Sequence, residues 1–251
     1  MTAAPRLRVI GIGRAGQSFA TALSEVGWDV IGLVGRSDDV ADALRGTDLL
    51  LIATPDHSVA DVAAAVRPVG AGHGPGGVVA HLAGSLGLGV LAPHGRVAAL
   101  HPLASLPSGD IGASRLRAGP WFAVAGHPIA RRVVTDLGGR WFEVADTDRA
   151  AYHAAAAIAS NHVVALLGQV DRIAHGIGVP PKALLALTAD TVDNVASLGP
   201  AAALTGPVAR GDWVTVARHL AALDPSEHEA YRALAAAARR LVDGEGLPPD
   251  L

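Results

Sequence analysis

The sequence predicts an α/β chain: a doubly wound parallel sheet followed by an all-α region. Three observations predict it. Short β-rich runs alternate with helical runs over the first 145 or so residues. A glycine-rich turn, GIGRAG, joins the first strand candidate to the first helix candidate. After Ala145 strand signals stop and alanine-rich helical periodicity takes over. The expected boundary is therefore near residue 146, giving regions 1–146 and 147–251.

The elements follow in order. Arg8–Ile12 (RVIGI) reads as a strand, and a helix is expected over about 15–26. Asp29–Val34 (DVIGLV) is the second strand. Asp48–Thr54 (DLLLIAT) is the third, with the unbroken apolar character of a strand buried on both faces. A helix is expected over about 58–66, and residues 70–77 read as a glycine-rich surface loop. Val78–Leu82, Val97–His101, Trp121–Val124 and Trp141–Val144 are further strands, and their alternation with helices argues for parallel pairing. A long helix is expected over about 148–175, stopped by Gly176, Gly178 and Pro180. Others are expected over about 182–198, 212–223 and 225–242. Asp224 is the N-cap of the last, with Pro225 in its first turn, and Asp212 caps the one before.

Composition narrows the chemistry. The chain has 251 residues, 50% hydrophobic and 17% charged, with a formal net charge of −3. That suffices for a large core and gives no sign of a polyanion or membrane-surface partner. There is no cysteine, which excludes disulfides, thiol nucleophiles and cysteine-held metals. Lys182 is the single lysine, so any lysine mechanism must use it. The window Tyr152–Val170 has no formally charged residue, but His153, Asn161, His162 and Gln169 are costly in lipid. It is expected to be the buried central helix of a soluble, cytoplasmic protein.

Gly11, Gly13 and Gly16 form G-x-G-x-x-G between a strand and a helix. The first glycine permits a tight turn, the second lets backbone approach a pyrophosphate, and the third lets helix and strand pack closely. The helix N-terminus then offers free N–H groups to phosphates. Ile12, Arg14 and Ala15 belong to the same cofactor loop. A Rossmann dinucleotide site follows, and a glycine turn without a ligand is the plain alternative. An NAD site usually carries an acid at the tip of the second strand. Here Arg36 and Ser37 stand there, suited to a 2′-phosphate, which favours NADP(H). Thr54, Pro55 and Asp56 follow the third strand, at a carboxyl end where a cofactor lies; a simple proline turn fits equally well.

His81 with Ser85 (HLAGS) and His101 with Pro102 (HPLAS) also end strands, facing the same crevice. Histidine exchanges protons near neutral pH, so His101 and His81 are candidates beside a nicotinamide. With 11 histidines in the chain, a structural role competes for each. On the long helix, His153, Ser160 and Asn161 are separated by seven and eight residues, two helical turns, and so share a side. Such groups need a partner, either another helix or a substrate carboxylate or carbonyl. Tyr152 adds a phenol. Thr205 and Arg210 (TGPVARGD) are the last polar cluster; Arg210 suits a carboxylate and otherwise fills a helix–helix loop.

Together GIGRAG, VGRS, ATPD, HLAGSLG, HPLASL, YHAAAAIASNH and ALTGPVARGD resemble the Rossmann-like oxidoreductases whose C-terminal part is known as domain of unknown function 2520. The resemblance implies an NADP-binding Rossmann domain and an all-α domain similar to that of 6-phosphogluconate dehydrogenase. It also implies kinship with pyrroline-5-carboxylate reductase, ketopantoate reductase and prephenate dehydrogenase. One departure stands out. Ketopantoate reductases and related hydroxyacid dehydrogenases place a lysine one turn before an asparagine, and here Ala157 stands four before Asn161. A histidine, His101 or His153, would then donate the proton.

The resulting expectation is an NADPH-dependent reductase of a small 2-oxoacid, ketopantoate-like. His101, His153 and Asn161 form its catalytic set. His81, Ser85, Ser160, Thr205 and Arg210 contact the substrate, and a homodimer buries the long helix. The alternatives are an oxidative dehydrogenase of prephenate dehydrogenase type, and a non-catalytic NADP-binding sensor.

Overall fold

The structure, a computed structural model, describes residues 3–69, 76–244 and 247–248. Residues 70–75 of the expected glycine-rich loop lie outside the described residues. The chain divides into two compact units, 1–160 and 161–251.

The first unit is a seven-stranded sheet of order β2-β1-β3-β4-β5-β6-β7. Its strands are β1 (Arg6–Ile10), β2 (Asp29–Val34), β3 (Leu49–Ile52), β4 (Val78–His81), β5 (Val97–Pro102), β6 (Trp121–Gly126) and β7 (Arg140–Glu143). β3 and β4 are buried at every residue, as their apolar runs require. The order reverses at β1, which pairs with β2 on one side and β3 on the other. In such sheets that reversal is where a crevice opens at the carboxyl ends of the strands. The pairing departs from the expected all-parallel pattern at one place: β5 and β6 are antiparallel, while β6 and β7 are parallel to each other. The chain returns to the sheet edge from the opposite end there.

Helices cover both faces. On one, Phe19 and Leu23 of α1 (Arg14–Glu25) join Leu49, Leu100 and Phe122 of the sheet. On the other, Val59 and Ala63 of α2 (Val59–Ala65) join Ile10, Leu50, Ile52 and Leu91. Two helices of this unit went unforeseen in the sequence, α3 (Gly109–Arg117) and α4 (Ile129–Asp136). Ser108 caps α3 by accepting the Ile111 N–H.

A helical run of 31 residues spans Asp146–Gly176. It comprises a 3₁₀ turn, α5 (Arg149–Ala157), a π-helical turn (Ile158–His162) and α6 (Val163–Gly176). By length and composition alone it could cross a membrane. The expectation of a buried central helix is corrected here. None of its most apolar window is buried within the chain, and Ile158 and Val164 are 55% and 70% exposed. Alanine-rich surface that one chain leaves open has no cover in this chain alone. The π turn adds a residue to the helical register, so the two-turn spacing of His153 to Ser160 and Asn161 is not that of a regular α-helix.

The second unit continues with α7 (Pro181–Leu198), α8 (Pro200–Ala203), α9 (Pro207–Arg210), α10 (Trp213–Ala222) and α11 (His228–Asp243). Asp212 caps α10 through the Thr215 N–H, and Asp224 accepts the Ser226 N–H at the last helical entry, both as expected. Arg172 of α6 holds Glu227 with two bonds of 2.7 and 3.0 Å, and Gln169 donates to the Glu227 carbonyl.

Candidate functional site

The turn between β1 and α1 has the geometry its glycines require. Gly11 adopts φ +105°, and a Cβ there would meet the Ala53 carbonyl oxygen at 2.6 Å. A Cβ at Gly16 would overlap the Gly11 carbonyl. At Gly13 nothing lies within 4 Å, so backbone is open to a ligand at the middle position alone. α1 has no acid in its first turn, and Gly13 is its N-cap. These are the features of a phosphate cradle at a helix N-terminus. Close by, in the bend after β3, the Thr54 hydroxyl is buried without a hydrogen-bond partner among the described residues.

Arg36 and Ser37 are exposed just beyond β2. The acids that follow them are occupied locally. Asp38 accepts the Gly35 N–H at 2.7 Å, and Asp39 accepts the Ala41 N–H at 2.9 Å. Both serve the turn, which leaves Arg36 as the free charged group at the strand tip.

A second constellation gathers at the ends of β4 and β5. The His101 Nδ1 shares a 2.6 Å hydrogen bond with the Tyr152 phenol of α5. The His153 ring packs edge-on to His101, with centroids 5.6 Å apart. Gly84 fits between these groups because it has no side chain: a Cβ would come within 2.6 Å of His153 and 2.9 Å of His101 Nε2. Burial, then the neighbouring His153, holds the His101 imidazole down at about 4. Burial pushes the Tyr152 phenol up to about 12. The pair is therefore neutral imidazole and protonated phenol at ordinary pH.

His81 is wholly buried, and its Nε2 donates to the Gly87 carbonyl at 3.3 Å, which leaves Nδ1 an acceptor without a partner. Burial, aided by Arg149, lowers it to about 4. It shapes the Gly84–Leu88 loop and has no open face for a ligand. Ser85 donates to Asp56 at 2.8 Å, tying that loop to the segment after β3.

Sequence reasoning missed Arg149. Its side chain is completely buried beside this constellation, with Nε 3.3 Å from Asp146. Nothing in a chain with 20 basic residues marks one of them as buried. Tyr152 was noticed, but its bond to His101 crosses 51 residues and no local signal announces it. Ser160 and Asn161 are exposed in the π turn. Thr205 and Arg210 of the second unit are exposed, Arg210 at the end of α9. Lys182 is exposed in the first turn of α7.

A parallel-dominant sheet reversing at β1, with a glycine cradle after its first strand and a helical unit following in the chain, defines a Rossmann-like fold of the kind found in oxidoreductases. More narrowly, residues 123–238 match the family model described as domain of unknown function (DUF2520). The chain is similar to a candidate NADP oxidoreductase from Bacteroides fragilis at 18% identity, covering 94% of this chain and 98% of that one, with a TM-score of 0.75. It is similar to a Thermotoga maritima protein at 23% identity over 94% and 98%, with a TM-score of 0.69. An imine reductase from Aspergillus terreus, in complex with NADPH4 and dibenz[c,e]azepine, is similar at 17% identity over 98% and 97%, with a TM-score of 0.65. No curated protein matches the chain.

Proposed function

We propose that this protein is a cytoplasmic NADPH-dependent oxidoreductase that reduces the carbonyl of a small 2-oxoacid. Several features favour NADP(H): the open backbone at Gly13, the unpartnered Thr54 hydroxyl and the free Arg36. Gly11, Ile12, Gly13, Arg14, Ala15 and Gly16 would hold the pyrophosphate, Arg36 and Ser37 the 2′-phosphate. Bound there, a reduced nicotinamide supplies a hydride for a carbonyl carbon. The structures most similar to the chain include ones named for NADP or NADPH, which supports the same reading.

The observation that carries the reaction is the His101–Tyr152 pair. In this reading the phenol O–H is assigned as donor to Nδ1, which puts the imidazole proton on Nε2, the nitrogen beside Gly84. As negative charge develops on a substrate oxygen, Nε2–H passes its proton outward and the phenol passes its own to Nδ1. The net donor is a phenol at about 12, a strong enough acid for an alkoxide. No lysine is needed. His153 packs against the imidazole and restricts its rotation. A second copy of the chain is the proposed partner, covering the exposed apolar faces of α6 and α7.

Oxidation of NADPH against a panel of 2-oxoacids, ketopantoate included, and one cyclic imine tests the reading. Turnover with one of them is expected, and His101→Ala should lower it about 10²–10⁴-fold. Tight NADPH binding with no turnover on any compound would make the chain a cofactor-binding sensor.

A further inference from the structure

Arg149 opens α5, and its side chain has no exposure at all. Its single polar partner is the half-exposed Asp146. Both terminal nitrogens are buried without any hydrogen-bond partner. A guanidinium remains charged at every ordinary pH. A buried cation so thinly paired costs stability rather than adding to it. Groups of that kind concentrate at working sites.

Its surroundings are those of the proton-transfer pair. Arg149 and Tyr152 are three residues apart on α5, neighbours on one helical face. The Asp146 carboxylate that contacts Arg149 also accepts the Leu88 N–H at 2.9 Å. Gly87 is pressed against that carboxylate, where a Cβ would stand 2.7 Å from Asp146 Oδ2. His81 holds the Gly87 carbonyl from the sheet side, and Gly84 packs against both His101 and His153. The Gly84–Leu88 loop is thus gripped from both directions.

We propose that Arg149 is a positioning residue for the His101–Tyr152 pair. Its buried charge adds to the burial and the His153 neighbour that keep the imidazole neutral, it offsets the negative charge the phenol acquires on giving up a proton, and through Asp146 it sets the Gly84–Leu88 loop. The inference rests on the reading of His101 and Tyr152 as a proton relay. Arg149 acts in the same direction on both histidines, favouring the neutral form. For His101, burial and then His153 favour the neutral form; Arg149 and His81 add to that, and Asp56 opposes it. For His81, burial and then Arg149 favour the neutral form, with the Gly87 bond, Asp56 and Asp146 opposing. For Tyr152, burial raises the phenol and Arg149 lowers it.

The test is an NMR titration of the histidine side chains in the full chain without cofactor or substrate, so its outcome is independent of the turnover panel. In the wild type, His81 and His101 should stay neutral down to about 4. In Arg149→Met the His81 titration should rise by about one unit and the His101 titration by less, while Arg149→Lys should leave both in place. Arg149→Met should melt no lower than the wild type, since it removes a buried charge and frees only a half-exposed carboxylate. A folded Met variant with unmoved titrations overturns the proposal. So does a Lys variant that moves them as far as Met does. If Met does not fold, Arg149→Gln takes its place, and failure of both assigns the arginine to the fold instead.

Discussion

The sheet unit and the helical unit bury their apolar residues very differently. The sheet unit closes two cores of its own, one on each face, with Leu7, Phe19, Leu23, Leu50, Ile52, Leu100 and Phe122 almost inaccessible. In the helical unit the wholly buried apolar residues are few, namely Ala174, Val216, Leu220 and Ala235 among those described. There Val164, Leu187, Leu198 and Val214 are 70%, 61%, 61% and 69% exposed. Apolar surface on this scale is how an unfinished interface looks. The sheet unit is a finished fold with polar groups left over at strand ends. The helical unit pairs a buried carboxylate, Glu227 with Arg172, and leaves apolar groups over. The leftovers in each unit are what function is expected to use.

The largest effect should come from filling the turn that closes the sheet unit. Gly16→Val puts a branched side chain into the Gly11 carbonyl and against Ala53. Neither α1 nor β1 can shift without opening the core under Phe19 and Leu23. The expected outcome is loss of NADPH binding altogether, read by fluorescence titration, with a large drop in melting temperature. Binding within tenfold of wild type would mean the cradle is not the cofactor site.

Next comes the unfinished side. The pair Val164→Glu and Leu187→Glu, on α6 and α7, should convert a dimer to a monomer in analytical ultracentrifugation. The sheet unit should be indifferent, keeping its NADPH affinity. A wild-type chain that sediments as a monomer at micromolar concentration breaks the comparison, because the helical unit would then be complete alone.

The third separates the units by pH. His81 and His101 are each held near 4 in the folded sheet unit against an ordinary 6.5. Above 6.5 both states are neutral and stability is full. As pH falls from 6.5 to 4 the unfolded chain takes up protons that the folded one refuses, so stability is lost across that window. The upper limit is about 3.5 kcal/mol per histidine, from about 1.4 kcal/mol per unit. Melting curves at pH 7 and pH 5 check it, and His81→Leu should flatten the difference.

How far the sequence could be read follows the same division. The sheet was legible because LLLI and VVAH are runs suited to strands buried on both faces, and the caps at Asp212 and Asp224 were legible because capping is local. The antiparallel return at β6 was not, since strand direction depends on where the chain re-enters the sheet. α3 was not either, for its short stretch mixes glycines and arginines with few apolar residues, and α4 was missed although Ala130, Val133 and Val134 form a buried stripe, because eight residues make only about two turns. The His101–Tyr152 bond and the burial of Arg149 join strand ends to a distant helix. Only tertiary folding brings them together, so composition and spacing are silent on both.

The smallest expected effect sharpens the sheet unit's remaining leftover. Arg36 is exposed and unpaired at the tip of β2, while Asp38 and Asp39 cap their own turn. If it holds the 2′-phosphate, Arg36→Ala removes charge-assisted bonds worth about 1.5–3 kcal/mol. That corresponds to a loss of about 10–100-fold in NADPH affinity. NADH affinity should not change, because the lost contact exists only with the phosphate. The change in the NADPH-to-NADH ratio is therefore the reading that counts, measured by parallel titrations of both cofactors. An equal loss for both would place Arg36 on the pyrophosphate or the fold. An unchanged ratio would return the choice of cofactor to Asp38 and Asp39, after a rearrangement that frees them from Gly35 and Ala41.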